Sequence, residues 1–247
     1  RFMLVRSQLT REQKMKKLPS ILTLMTAGFL SQAAVGAELD IKVTNLTQGI
    51  HFTPFLIAAH ADSAHLYQSG MAASSELQMM AEGGDISGLS GILDGLSANK
   101  VENPAGGLLA PGMSTETMLM TTDGNTELSL VSMLLPTNDG FVGLDSWTIP
   151  SEAGTYTIYL NGYDAGTEAN DEIINGGGAP GAAGIPVDPS GKNGTGAMGV
   201  TDMEMTEVVH IHRGVIGDTD AAGGYSDLDS TVHRWLNPVA KVTVTVK

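Results

Sequence analysis

Asn138-Asp-Gly-Phe-Val-Gly-Leu-Asp145 runs through Ser-Trp-Thr-Ile-Pro150 into Gly154-Thr-Tyr-Thr-Ile-Tyr-Leu160 and on to Asn161-Gly-Tyr-Asp164-Ala-Gly-Thr-Glu168. The two runs rich in β-branched and aromatic residues, bounded by Asn, Asp, Gly and Pro, read as successive strands, 140–147 and 154–160. Antiparallel pairing of these strands carries Asp139, just before the first, to the end of the sheet where Asp164 and Glu168 follow the second. Three carboxylates gathered there are suited to one hard cation such as Ca²⁺, with backbone carbonyls and water completing six to eight oxygen ligands. Acidic turn residues also occur without metal, because Asp and Asn bond their own backbone. The spacing alone leaves both readings open.

Working outward, further strands are expected at 39–46, 51–57, 116–121, 128–135, 205–213 and 239–246. Eight short strands separated by Gly, Pro, Asn and Asp turns predict an all-β protein, an antiparallel sandwich or barrel. The last strand, Val239-Ala-Lys-Val-Thr-Val-Thr-Val246, alternates apolar and polar residues, so one of its faces should meet solvent. Short helical insertions are expected at 71–82, with Leu77, Met80 and Ala81 on one face, and at 86–96, where Ile86, Leu89, Leu93 and Leu96 have helical spacing. They are read as a cap over the sheet edge. The Gly-rich stretch 175–199 offers little to bury and is read as a long loop, mobile unless a ligand organises it.

The first residues read as an address. Met15-Lys-Lys17, the apolar run Leu18–Leu30 and the small residues Val35-Gly-Ala37 have the form of a signal peptide over 15–37. Residues 1–14 are read as an upstream segment outside the native protein, and 38–247 as the mature domain. The apolar run is too short for a transmembrane helix, which needs roughly 20 residues, and no other stretch is long enough. Secretion or export to the periplasm is the expected localisation. Cleavage after Ala37 would leave seven Lys and Arg against 26 Asp and Glu, a net formal charge of −19. That balance argues against nucleic acid and anionic lipid as partners. It suits cations, and it would also keep an exported protein soluble. With no cysteine in the chain, stability has to come from a core that about 210 residues are enough to build.

Two further constellations are candidate sites. In Glu207-Val-Val-His-Ile-His-Arg213, His210 and His212 stand at i and i+2 of a strand and therefore share a face. Two imidazoles on one face can begin a zinc or copper site, with a third from His51, His60, His65 or His233, or they can be an ordinary solvated strand face. Asp218, Asp220, Asp227 and Asp229 are spaced through glycines in a manner that superficially resembles a calcium loop. Position twelve holds Asp229 rather than Glu, and no flanking helices are evident. A second ion, a contribution to the first, and a polar surface loop are the readings of that segment. No Gly-x-Ser-x-Gly elbow, His-Glu-x-x-His or phosphate-binding loop occurs, so the chain is expected not to be an enzyme.

Thr137–Asp145 and Leu160–Glu168, with Ile50–Gly70 and Ala81-Glu-Gly83, resemble the spondin domain found near the N-terminus of F-spondin and in many bacterial secreted proteins. The resemblance covers most of the mature chain, and Asp164-Ala-Gly-Thr-Glu168 is its most specific part. It implies a C2-like antiparallel β-sandwich with calcium in its end loops, held by residues at Asp139, Asp164 and Glu168, and a role in binding or adhesion to an extracellular protein or matrix component. The family's final acid is usually Asp, so Glu168 is a departure. The cysteines and thrombospondin repeats of the animal proteins have no counterpart here. The rival expectation is a periplasmic copper or zinc protein, or a metal-dependent enzyme, built on His210 and His212.

Overall fold

A computed structural model describes residues 36–122, 124–179, 182–200 and 206–247. The upstream segment 1–14 and all but the last two residues of the expected leader lie outside the described residues. Among the described residues ten strands are formed: β1 (Glu38–Asn45), β2 (His51–Phe52), β3 (Leu56–His60), β4 (Asn99–Glu102), β5 (Ser114–Met120), β6 (Glu127–Leu135), β7 (Gly140–Thr148), β8 (Gly154–Asp164), β9 (His210–Ile211) and β10 (Ala240–Val246). Two helices, α1 (Ser75–Gly83) and α2 (Ser87–Gly95), lie between β3 and β4.

Every strand pair is antiparallel, and the main path runs β4-β3-β6-β7-β8-β10-β1-β5, with β2 beside β6 and β9 beside β8. The path nearly closes. Asn99 at one end accepts hydrogen bonds from the Thr122 backbone N–H (2.8 Å) and hydroxyl (3.0 Å), just past β5 at the other end. Alternation decides which face is buried. In β1 and β10, Leu39, Ile41, Val43, Val242, Val244 and Val246 turn inward, while Asp40, Lys42, Thr243 and Thr245 turn outward. The inward side chains share one core with Ile57 and Ala59 of β3, Leu128, Leu130 and Leu134 of β6, and Val142 of β7. That shared core shows the two halves of the curled sheet enclosing a common interior.

Strand β6 is buried along its whole length because both of its faces are covered. On its other face Val131 and Met133 meet a second cluster, built from Leu77, Met80 and Ala81 of α1, Leu89 and Leu93 of α2, and Phe141 of β7. The helices therefore pack on the face of β3, β6 and β7, where the sequence reading had put them at an edge. Ser74 caps α1 by accepting from Leu77 N–H (3.1 Å), and Gly84 ends it in the left-handed region.

The expected strand 51–57 is split, because Pro54 has no N–H to give a ladder and Thr53 instead bonds Met133 through its own N–H (3.1 Å). The expected strand 205–213 begins outside the described residues and shortens to β9. Among its described residues the expected loop 175–199 has no helix and no strand ladder, and Ile185 within it is fully buried in the main core and bridges Ile174.

Strand β8 positions the candidate site. Its first seven residues pair with β10, Gly154 opposite Val246 through Leu160 opposite Ala240, and its last four pair with β7, Asn161 opposite Gly143 through Asp164 opposite Gly140. One continuous strand thus passes from one half of the sheet to the other and delivers Asp164 beside Asp139.

Candidate functional site

The end of the β7–β8 pair gathers Asp139, Asp164 and Glu168, which are 0, 1 and 4 % exposed. The Asp164-Ala-Gly-Thr-Glu168 segment curls back over Asp139. Asp139 Oδ2 accepts from Thr167 N–H (2.8 Å), Glu168 N–H (3.1 Å) and the Thr167 hydroxyl (3.3 Å). Asp164 Oδ1 accepts from Gly166 N–H (2.8 Å), and its Oδ2 accepts from the Asn170 amide (2.6 Å). Gly166 has φ +72°, and a Cβ there would lie 2.6 Å from the Val208 backbone, so the turn requires glycine on two counts. Glu168 Oε2 accepts from Gly184 N–H (3.0 Å) and the Asn138 amide (3.3 Å). The Gly-rich loop is therefore tied to the site through Gly184.

Two oxygens in this cluster have no partner. Asp139 Oδ1 and Glu168 Oε1 are buried without a hydrogen bond. Leaving a buried acceptor unsatisfied costs roughly 1–3 kcal/mol, more when it is charged. Burial, reinforced by the Asp164 charge, pushes the Asp139 carboxyl up to about 7. Burial likewise lifts Glu168 to about 7, with the charges of Glu82 and Asp139 adding to it against the lowering hydrogen bonds from Gly184 and Asn138.

The three carboxylates share one end of the sheet, as their spacing predicts, but they are not drawn onto a single point. Among the described residues no group of three or more His, Cys, Asp or Glu side chains is arranged to hold a metal ion. Asp164 has both oxygens committed to hydrogen bonds, so Asp139 and Glu168 offer the unpartnered atoms. As a donor set, two orphaned carboxylate oxygens beside a third carboxylate fit a hard cation that takes its remaining ligands from backbone carbonyls and water.

Sequence reasoning missed three contributors. Asn138 is 1 % exposed and links Glu168 to Asp171 (2.8 Å) and to Glu172 N–H (3.2 Å). Gly184 comes from a loop with no signal pointing to this end. Glu82 on α1, wholly buried and accepting from the Gln78 amide (2.7 Å), adds a further negative charge near Glu168. A Glu on the apolar stripe of Leu77, Met80 and Ala81 was the available signal for it.

The histidines are not a solvated face. Ile211 is the exposed residue of the triplet, whereas His210 is half-buried and His212 is 5 % exposed. His212 Nδ1 accepts from Gly214 N–H (2.8 Å), which leaves the proton on Nε2, a buried donor without a partner. Its ring tilts against Trp235 at 5.0 Å, and burial lowers its pKa to about 4. His210 Nδ1 lies 3.0 Å from Val208 O and 3.8 Å from Asp164 Oδ1. Among the described residues no third histidine joins them to form a metal-holding group: His51 lies on β2 opposite Leu135, His60 bonds Ser129, His65 bonds Asp145, and His233 accepts from Asp229 N–H.

The acidic loop is tied to its own backbone. Asp218 accepts from the N–H groups of Asp220, Tyr225 and Ser226, and Asp229 from Thr231. Asp220 accepts from Ala222 N–H. Asp227 holds the Gly-rich loop by accepting from the N–H groups of Ile174, Thr195 and Ala197. Hydrogen bonds from Ser226 and Tyr225 keep Asp218 below the usual carboxylate range, and those from Thr231 do the same for Asp229. The Gly-spaced carboxylates therefore work as anchors for backbone N–H groups, the polar-loop reading of this segment.

A model of the spondin N-terminal domain family, Spondin_N, matches residues 43–172, more than half of the chain. The chain belongs to this family. The spondin match begins within β1 and ends at Glu172, so it contains Glu82, Asp139, Asp164 and Glu168 and leaves His210, His212 and the loop 218–229 outside. Comparison with curated proteins gives no match.

Proposed function

We propose that this spondin-family chain is an exported, non-enzymatic binding module, secreted or periplasmic, whose β7–β8 end loops are ordered by Ca²⁺. The observation that carries the reading is the pair of orphaned buried oxygens, Asp139 Oδ1 and Glu168 Oε1, in a cluster whose charges repel one another. Asp139 and Glu168 would hold the ion, with Asp164 the third carboxylate at its side, and the ion would supply charge neutralisation rather than chemistry. The family is typically extracellular, which supports export. Among the described residues no helix is long and apolar enough to cross a membrane. The nearly closed sheet is read as the family's C2-like sandwich, with an extracellular protein or matrix component as its partner.

Extracellular modules bind calcium with Kd of about 0.1–1 mM. At roughly 10 mM Ca²⁺ such a site contributes on the order of 1.4–2.7 kcal/mol. Titration calorimetry of Ca²⁺ into the EDTA-stripped chain should show one site, abolished in Glu168→Gln and weakened in Asp164→Asn. Unchanged binding in both variants would remove the assignment.

A further inference from the structure

Asparagine followed by glycine occurs three times in this chain, at Asn161-Gly162, Asn175-Gly176 and Asn193-Gly194. The pairing has its own chemistry, because asparagine is thermolabile and glycine, without a Cβ, lets the next backbone nitrogen swing onto the side-chain carbonyl. The fold treats the three steps differently. Asn161 lies in β8 opposite Gly143, where extended backbone holds the following nitrogen away from the side chain, and Gly162 N–H is committed to Asn237 Oδ1 (2.7 Å). Asn175 is clamped by its own amide: Oδ1 accepts from Gly177 N–H (2.9 Å), Nδ2 donates to Ala183 O (3.0 Å), and Gly176 N–H donates to Ile185 O (3.3 Å). Asn193 is exposed and lies outside any helix or strand, and among the described residues neither its amide nor the Gly194 N–H has a hydrogen-bond partner. Glycine at 194 is required by the fold, since a Cβ there would lie 2.6 Å from Ile174 O. The reactive pairing is therefore built into the loop. Thr195, the next residue, is anchored to Asp227 Oδ1 through its N–H (2.6 Å) and hydroxyl (2.7 Å), so the free amide stands immediately before a fixed point.

We propose that Asn193 is a site of self-modification by deamidation, with solvent water as the only co-reactant. Gly194 N attacks Asn193 Cγ; the new C–N bond forms, the Cγ–Nδ2 bond breaks, and ammonia leaves with the proton from the Gly194 nitrogen. Water then adds to either carbonyl of the cyclic imide and opens it to aspartate or isoaspartate. One water is consumed, one ammonia is released and one carboxyl group is gained. The new charge falls in a defined place, because Asn193 and Gly194 line a cavity of about 520 Å³ together with Asp218, Asp220, Asp227 and Asp229. Those carboxylates oppose the negative charge that develops on the attacking nitrogen, and Lys192, the preceding residue, 3.6 Å from Asp229, offsets them. The modification adds a fifth carboxylate to this wall, on a loop tied to the β7–β8 end through Gly184. The proposal stands apart from the cation reading, because no group that reacts belongs to the β7–β8 carboxylate cluster.

The test keeps the full chain at pH 8 and 37 °C in heavy-oxygen water, so that each converted site gains a heavy oxygen, and weighs its proteolytic peptides at intervals beside those of a sample in concentrated urea. Asn193 in the folded chain should convert within about threefold of its rate in urea, because opening an exposed loop costs almost nothing. Asn161 should convert at least about a hundredfold more slowly than in urea, because β8 has to open first, and Asn175 should fall between the two. On ion exchange the aged chain should move to a more acidic form that Asn193→Gln, whose longer side chain closes the ring poorly, does not make. Asn193 left intact over a period in which the urea sample converts, Asn161 or Asn175 converting as fast as Asn193 in the folded chain, or the same acidic form from Asn193→Gln would each overturn the proposal.

Discussion

Replacing Asp139 by Asn should make the metal-free protein more stable at pH 8, the reverse of the usual outcome of changing a wholly buried, hydrogen-bonded residue. Asp139 is lifted from an ordinary 3.8 to about 7, mainly by burial and secondly by the charge of Asp164. The sign follows from proton counting. Between these two values the folded protein binds more protons than the unfolded chain, so this group's favourable contribution, present at low pH, is lost as pH rises through about 7. The difference corresponds to a cost on the order of 4 kcal/mol above that pH. Relaxation and water entry around real buried charges bring this to about 2 kcal/mol. Asn presents the same shape as the protonated carboxyl, and its oxygen can still accept from Thr167 and Glu168. The variant should therefore gain about 2 kcal/mol at pH 8, which for a domain of this size is roughly 4–8 °C in Tm. That advantage should shrink on acidification and vanish near pH 4. The assay is thermal unfolding of both proteins in EDTA from pH 4 to 8, and taking their difference cancels the titrating groups that do not sense Asp139; Glu168, lifted in part by its charge, is the neighbour that does. Adding roughly 10 mM Ca²⁺ should shrink the variant's lead by on the order of 1.4–2.7 kcal/mol, because only the parent gains. A variant less stable than the parent at pH 8, with an undiminished calcium response, would show that Asp139 is neither destabilising when ionised nor a ligand of the ion.

Three other outcomes follow from the same geometry. Glu172→Gln removes a buried charge that accepts from Ile216 N–H, Gly217 N–H and the Ser226 hydroxyl (2.5 Å), and should cost roughly 2–4 kcal/mol in chemical denaturation; a loss below about 0.5 kcal/mol would show those loops held by other means. Gly143→Ala would put a Cβ 2.5–2.7 Å from the Tyr67 ring, which is packed at 5.0 Å against both Phe141 and Tyr163, and should cost about 1–3 kcal/mol; an unchanged Tm would mean that the cluster is loosely packed. His212, lowered to about 4 against 6.5 in the unfolded chain, contributes stability that is lost as pH falls from about 6.5 towards 4, on the order of 3 kcal/mol. His212→Gln should flatten that acid limb, and an unaltered limb would place its cause elsewhere.

The parts of this fold that were readable are those fixed by local pattern. Alternation in Leu39–Asn45 and Ala240–Val246 gave β1 and β10 to within a residue, and the apolar spacing of Leu77, Met80, Leu89 and Leu93 gave both helices. Strand β4 was missed because Asn99-Lys-Val-Glu102 has a single apolar residue, and its place is set by pairing with β3. The continuation of β8 to Asp164 was hidden by Asn161 and Gly162, which look like a turn yet pair with β7. Asp139, Asp164 and Glu168 were legible because antiparallel pairing brings the flanks of two strands together. Glu82, Asn138 and Gly184 reach that end through tertiary packing, for which no spacing rule exists. The acidic loop carries several readings in sequence for a physical reason: carboxylates that bind calcium and carboxylates that bind backbone N–H groups have the same composition, and only the placement of the donors distinguishes them.

Whether a calcium ion sits at the β7–β8 end is decided by thermal unfolding of the metal-stripped protein at pH 7.5 against Ca²⁺, Mg²⁺, Zn²⁺ and Cu²⁺. A site at Asp139 and Glu168 gives a rise specific to Ca²⁺, on the order of 1.4–2.7 kcal/mol at roughly 10 mM, absent from Asp139→Asn and unaffected by His210→Ala. A response to Zn²⁺ or Cu²⁺ that disappears in His210→Ala, with none to Ca²⁺, would contradict it.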